Sequence, residues 1–199
     1  MKKTLLLTSL FVMSCATQQK DLDRLNALTS GFIETCTTVT GLNDPLEENL
    51  VFSTLNCYRM ESRSGRDQFL RAVVSKADKT ITYILIYNII ISSTNWIQPY
   101  QGNYVIDGEL ITNKGVSIDT DVDCKSIGGG VTAGIGCTYR DDYGFRLKSE
   151  IFEEAKRLKD SGEQFFSYRI KTRASADIDL IINVEEILGL EQKIKAIIE

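Results

Sequence analysis

Between Asp67 and Ser93 the chain reads DQFLRAVVSKADKTITYILIYNIIISS, two runs of aliphatic, β-branched and aromatic residues broken by Ala77-Asp78-Lys79. Two such runs either side of a short polar break predict a β-hairpin. The second run, Thr80 to Ile91, is almost wholly apolar, with Tyr83 and Tyr87 on one parity and Ile84, Ile86 and Ile90 on the other. It is too short for a membrane-spanning helix. Apolar residues on both parities suit a central strand covered on both faces. Further strands are predicted near Phe32 to Thr38, Leu50 to Tyr58, Asn103 to Ile106, Gly115 to Val122 and Gln164 to Lys171. Short strands joined by turn signals point to a mainly antiparallel sheet.

The period changes in the last third of the chain. Leu147, Ile151, Ala155 and Leu158 fall at i, i+4, i+8 and i+11, and Gly162 stands where a helix would stop. A second helix is predicted from Asn183, its N-cap, with Glu186 three residues later as in a capping box. Ile182 and Ile187 have the spacing of a hydrophobic staple, and Ile187, Leu190, Ile194 and Ile197 form the apolar stripe. The expected fold class is therefore α+β: a mainly antiparallel sheet with two helices of the C-terminal half packed on it.

Three polar patterns interrupt this plan. Asp119, Asp121 and Asp123 alternate with Ile118, Thr120 and Val122, which on a strand makes one acidic face over an apolar one. As the start of a calcium loop the stretch fails, because Cys124 stands where Gly is required and Gly130 where the closing Glu is required. Asp141 and Asp142 would have to lie nearby to complete an oxygen-rich cluster, and no metal site is expected. Arg169, Lys171 and Arg173 form a basic stripe of period two, expected to be solvated or paired with the acidic strand. Trp96, Tyr100 and Tyr104 could stack on a sugar or peptide, although core packing is the plainer role for aromatics beside a sheet.

The N-terminus has a different character. In MKKTLLLTSLFVMSCATQQK, Lys2 and Lys3 precede an apolar stretch from Thr4 to Met13, the layout of an export signal. The junction Val12-Met13-Ser14-Cys15 resembles the end of the signal peptides of bacterial lipoproteins. That resemblance implies cleavage after Ser14, a diacylglycerol on the Cys15 sulfur and an acylated terminal amine. Ala16, not being Asp, implies the outer membrane, facing the periplasm, in an organism that has one. Several acyl chains make a stable anchor where one is marginal. Residues 1–14 are accordingly assigned to the signal peptide, 15–28 to a lipidated tether and 29–199 to a single α+β domain.

Export gives the remaining cysteines their meaning. Cys36, Cys57, Cys124 and Cys137 are an even set in an oxidising compartment, so disulfides are expected. Three pairings are possible. The local one, Cys36 with Cys57 and Cys124 with Cys137, requires the least rearrangement of the chain. Gly128, Gly129, Gly130, Gly134 and Gly136 then serve to turn the chain back between the last two cysteines. They lack the Lys and Ser/Thr of a phosphate-binding loop, and the apolar Val131 and Ile135 make the loop a possible contact surface.

Composition narrows the function. Without Lys2 and Lys3 the chain holds 21 basic and 27 acidic residues, a net charge of −6, so it has no electrostatic reason to seek nucleic acid. It contains no histidine, which removes Ser-His and Cys-His nucleophile pairs and an imidazole general base. No cofactor motif is present. The expectation is a membrane-anchored envelope lipoprotein with a non-catalytic binding or scaffolding role towards an envelope protein or glycan. The alternative from another class is a carboxylate-dependent hydrolase of envelope polymers, which needs two acids facing a cleft.

Overall fold

The computed structural model describes residues 29–58, 66–92, 96–127 and 134–199. Cys15, the signal peptide, the tether, Gly128 to Gly130 and Val131 lie outside the described residues.

In chain order the elements are α1 (Ser30–Cys36), β1 (Thr38–Thr40), β2 (Asn49–Ser53), α2 (Leu55–Tyr58), β3 (Arg66–Ser75), β4 (Ile81–Ser92), β5 (Pro99–Ile106) and β6 (Glu109–Lys114). They continue with β7 (Val116–Ile127), β8 (Gly134–Leu147), α3 (Ile151–Asp160), β9 (Phe165–Thr172), β10 (Ile178–Asn183) and α4 (Val184–Ile198). The strands make two antiparallel sheets. One has six strands in the order β1-β2-β3-β4-β8-β7, the other four in the order β10-β9-β5-β6. The fold is α+β, mainly antiparallel, with its two long helices in the C-terminal half.

The predicted central hairpin is present as β3 and β4, registered from Arg66↔Ile90 to Val74↔Ile81. Its turn is closed by Asp78, whose Oδ1 accepts from the Thr80 hydroxyl at 2.8 Å and the Thr80 amide at 3.2 Å, while Lys79 takes a positive φ of 61°. β4 is central to its sheet, between β3 and β8, but it is not covered on both faces as expected: one parity is buried and the other only half-buried.

One core joins both sheets and both long helices. The inner face of the six-stranded sheet supplies Phe52, Leu70, Ile84, Ile86, Tyr143 and Phe145; the smaller sheet supplies Tyr104, Phe166, Tyr168, Ile170 and Ile182. Ile151, Ala155, Ile187 and Leu190 complete it from α3 and α4. The core leaves no room for a side chain at two glycines. A Cβ on Gly102 of β5 would lie 2.4 Å from Cγ of Phe145, and one on Gly115, between β6 and β7, would meet the Tyr143 ring. Polar groups cross the same layer: the Tyr168 hydroxyl stands 2.6 Å from Asn88 Oδ1 and 2.8 Å from Gln68 Oε1. Complete burial pushes the Tyr168 phenol well above its ordinary pKa, so it keeps the proton that it donates.

Several expectations are corrected. Phe32 to Thr38 is mostly helix: Thr29 caps α1 by accepting from the Phe32 amide, and the strand is only the short β1 that follows. The reason is tertiary. α1 lies across α4 at Gly189, where a Cβ would come within 2.5 Å of Ile33 Cβ, and the glycine makes room for that crossing. The strand expected over Leu50 to Tyr58 ends at Ser53 and gives way to α2. Leu147 belongs to the end of β8 rather than to the stripe of α3, and β6, β8 and β10 were not anticipated. The C-terminal helix starts as predicted: Asn183 accepts from the Glu185 amide at 2.8 Å, and Ile182 and Ile187 are both buried. Glu186, fully buried, reaches beyond its own helix end, its Oε1 accepting from the Thr54 hydroxyl at 2.5 Å and the Leu70 amide at 3.2 Å.

Candidate functional site: the outer face and free edge of the larger sheet

The second parity of the larger sheet does not enter the common core. Phe69, Arg71 and Val73 of β3 stand opposite Tyr87, Leu85 and Tyr83 of β4, followed by Ile89 and Ile91. These outer side chains hold one another by lateral contacts. Phe69 stacks on Tyr87 with centroids 4.6 Å apart, the Arg71 guanidinium lies 5.6 Å from the same ring, and that of Arg146 lies 5.0 Å from the Tyr83 ring. Burial raises the Tyr87 phenol above its ordinary pKa, with the Asp142 charge adding to the effect.

The surface continues over β8 and β7. Tyr87 faces Gly144 in register, and a Cβ there would come within 3.0 Å of Ile118 Cδ1, so Ile118 fills the place over the glycine. A shift in register between Ser117 and Asp119 gives this extra residue its position. Val116, Ile118 and Ile91 stay 65%, 43% and 44% exposed. On this face Phe69 and Val73 are buried and Tyr83, Leu85, Tyr87 and Ile89 half-buried, so its apolar character reaches solvent most fully at Ile91, Val116 and Ile118, beside Arg71, Arg146 and Arg140.

After the bulge, Asp119, Asp121 and Asp123 stand opposite Asp142, Arg140 and Thr138. The predicted acidic face is real, but the opposite face of the strand is not covered: Thr120 is exposed and Val122 is 46% exposed. Nor does the face gather into a cation cluster. Alternate residues of a strand are roughly 7 Å apart, too far to converge on one ion. Arg140 grips Asp142 through Nε at 2.7 Å and Nη2 at 2.8 Å, and Asp123 pairs with Lys125 at 2.7 Å. Asp141 points the other way and accepts from the Ile97 amide at 3.0 Å. Among the described residues, no group of three or more acids, cysteines or histidines is placed to hold a metal.

The basic stripe lies elsewhere. Arg169 binds Asp179 through Nε at 2.5 Å and Lys171 binds Asp177 at 2.5 Å, both on the smaller sheet, rather than the acidic strand. Each pair draws its Asp below the ordinary carboxylate pKa, mainly through the hydrogen bond. Arg173 sits 5.7 Å from the centroid of Tyr100. The three aromatics do not form one platform. Tyr104 is core, its hydroxyl accepting from Asn113 Nδ2 at 3.0 Å; Tyr100 lies under Arg173; Trp96 meets Tyr139 edge-on at 5.2 Å. A strand signal alone could not separate Tyr104 from Tyr100, which share a parity on β5; the register shift between Pro99 and Gln101 sets Tyr100 apart.

Both expected cysteine pairings occur, Cys36 with Cys57 and Cys124 with Cys137. Cys124 and Cys137 are directly opposed in the β7–β8 ladder, with Cα atoms 4.0 Å apart. Because β4 pairs with β8 only as far as Tyr139, this bridge clasps a two-stranded arm beyond the body of the sheet. Gly134 and Gly136 belong to that arm as strand residues.

A pocket of about 320 Å3 lies between the end of β4 and the turn joining β9 to β10, lined by Ile90, Ile97, Ala176, Asp177, Ile178 and Asp179 among others. Its two carboxylates are those already neutralised by Lys171 and Arg169. No described helix is long and apolar enough to cross a membrane. Comparison with protein-family models, curated proteins and solved structures returned no match.

Proposed function

We propose that the chain is a bacterial envelope lipoprotein, anchored through Cys15 on the periplasmic side of the outer membrane, whose folded part binds another envelope component without catalysis. The VMSC junction motivates the anchor. The observation that carries the binding role is the apolar outer face of the larger sheet, on which Tyr83, Leu85, Tyr87, Ile89 and Ile118 stand apart from the common core. Contiguous apolar surface on a secreted domain marks an interaction site. Guanidinium groups over the Tyr83 and Tyr87 rings leave less ring face for a sugar and favour a protein ligand.

Two measurements test this reading. Mass spectrometry of the mature protein should find Cys15 acylated, and Cys15→Ser should leave the membrane fraction. A photo-crosslinking residue at Tyr87 should capture an envelope protein in intact cells, whereas the same group at Leu46, a 90% exposed residue of the loop between β1 and β2, should not. An unmodified Cys15 sinks the anchor, and equal labelling from both positions sinks the binding face.

A further inference from the structure

β7 is the last strand of the six-stranded sheet and, at twelve residues, much the longest of the four sheet edges; β1 has three and β6 and β10 six each. Its ladder tells which of its amides face outward. In an antiparallel pair, opposed residues alternate between hydrogen-bonded positions with Cα atoms ~5.5 Å apart and non-hydrogen-bonded positions ~4.5 Å apart. The 4.0 Å separation of Cys124 and Cys137 puts that pair in the second class. Counting by twos, Val122↔Tyr139 and Thr120↔Asp141 belong with it. The N–H and C=O groups of Thr120, Val122 and Cys124 therefore point away from β8, towards the free edge.

The side chains agree. The Thr120 amide donates to Asp119 Oδ1 at 2.9 Å and the Val122 amide to Asp121 Oδ1 at 2.8 Å, so two outward amides are held by the carboxylates just before them. Neither Asp119 nor Asp121 has an ion-pair partner among the described residues, since Arg140 is committed to Asp142. Among the described residues no strand pairs with the outer side of β7; an unpaired edge is a template for another strand, and inward-turned charges are a known way to guard it.

We propose that β7 accepts an extended segment of a second envelope protein by strand addition, and that the segment alternates basic with apolar residues. Basic side chains would pair with Asp119, Asp121 and Asp123 and draw the first two off the Thr120 and Val122 amides, freeing these for the new ladder, while the apolar ones would meet Val122 on the other face. A second copy of the chain is the wrong occupant. β7 against β7 brings the three Asp rows together, and like charges directly opposed are destabilising. This inference rests on the binding role proposed above but uses the sheet edge, not the Tyr87 face.

The test uses the full-length protein in detergent and a labelled, end-blocked seven-residue peptide alternating Lys and Val. It should bind, more weakly as salt is raised, and protect the Thr120 and Val122 amides from hydrogen exchange; a Glu-Val peptide should not bind. Replacing Asp119, Asp121 and Asp123 together by Asn should weaken binding about tenfold, as expected for three exposed cross-strand ion pairs. Val122→Pro removes an outward amide that the β7–β8 ladder does not use, so it should abolish binding while leaving the melting temperature near that of the parent. No binding of the Lys-Val peptide, protection away from β7, or concentration-dependent dimerisation of the parent that Val122→Pro removes would each overturn the proposal. Crosslinking from Tyr87 would still report separately on the binding role.

Discussion

At the scale of single residues, the sheets are set by positions where a side chain is absent. Gly102 does not have a positive φ, so conformational freedom is not what it supplies; it supplies space for Phe145, which is 1% exposed in the centre of the core. Gly102→Ala forces that ring to move in a close-packed layer and should cost about 1–3 kcal/mol. Urea unfolding checks this, and an unchanged midpoint would show that the sheets can part without cost. The sequence placed a strand only from Asn103 and gave no sign of this contact, because Gly102 and Phe145 are far apart in the chain. The same holds for Gly189, a glycine inside a helix whose reason is Ile33 of α1. Asp119, Asp121 and Asp123 were legible as one face of a strand, yet the use of Asp119 and Asp121 as caps on edge amides required the ladder. Calcium should leave the melting temperature unchanged, since three carboxylates strung along a strand cannot share one ion. A rise that grows with calcium and disappears in Asp121→Asn would contradict that arrangement.

At the scale of elements, the two disulfides do different things. Cys36–Cys57 ties α1 to α2 beside the α1–α4 crossing, with Cys57 7% exposed. Removing it by Cys36→Ala with Cys57→Ala should lower global stability by about 2–4 kcal/mol. Cys124–Cys137 clasps an arm that β4 does not reach. The corresponding double Ala variant should leave the global unfolding midpoint much less affected, while amides at the end of β7 exchange faster, because local opening there exposes little core. Equal losses from both variants would contradict this division. α3 adds a pH term. Glu154, nearly buried, receives Arg157 Nη2 at 2.6 Å and Nε at 3.0 Å, and these bonds hold its carboxyl below the usual 4.5. A carboxylate with a depressed folded pKa contributes stability that is complete above its unfolded pKa and is lost as pH falls through the folded value. The parent should therefore lose stability on acidification below about pH 4.5, and Glu154→Gln should reduce the steepness of that loss. Urea midpoints from pH 7 to pH 3 measure both.

At the scale of the whole molecule, the anchor proposed at Cys15 would be joined to the folded part by residues 15–28. A tether of that length would keep the domain close to the membrane and raise its effective concentration towards other anchored proteins. Soluble Cys15→Ser protein should thus be captured through Tyr87 much less than the anchored parent at equal expression, although its isolated affinity is unchanged. Comparable crosslinking yields would show that anchoring is irrelevant to the encounter.

The chain by itself determined whatever depends on neighbours in sequence. The 80–91 run reported a central strand because it is apolar on both parities. Asn183 with Ile182 and Ile187 reported a helix start, Gly162 a helix stop, and the local cysteine spacings the two bridges. Only the tertiary structure decided what depends on distant partners. Phe32 to Cys36 has the residues of a strand but is helical because Gly189 offers it a seat. Trp96, Tyr100 and Tyr104 look alike in sequence and go to three environments: Trp96 precedes β5, Tyr100 stands at the register shift between Pro99 and Gln101, and Tyr104 lies in the regular ladder and the core. The basic and acidic stripes are each legible, but Arg169 and Lys171 pair with Asp179 and Asp177 while Asp119 and Asp121 have no ion-pair partner among the described residues, because charge patterns give no strand order. The outer face and the free edge of β7 follow from that order alone, since a strand shows its period in sequence while its place in a sheet is settled by long-range contacts.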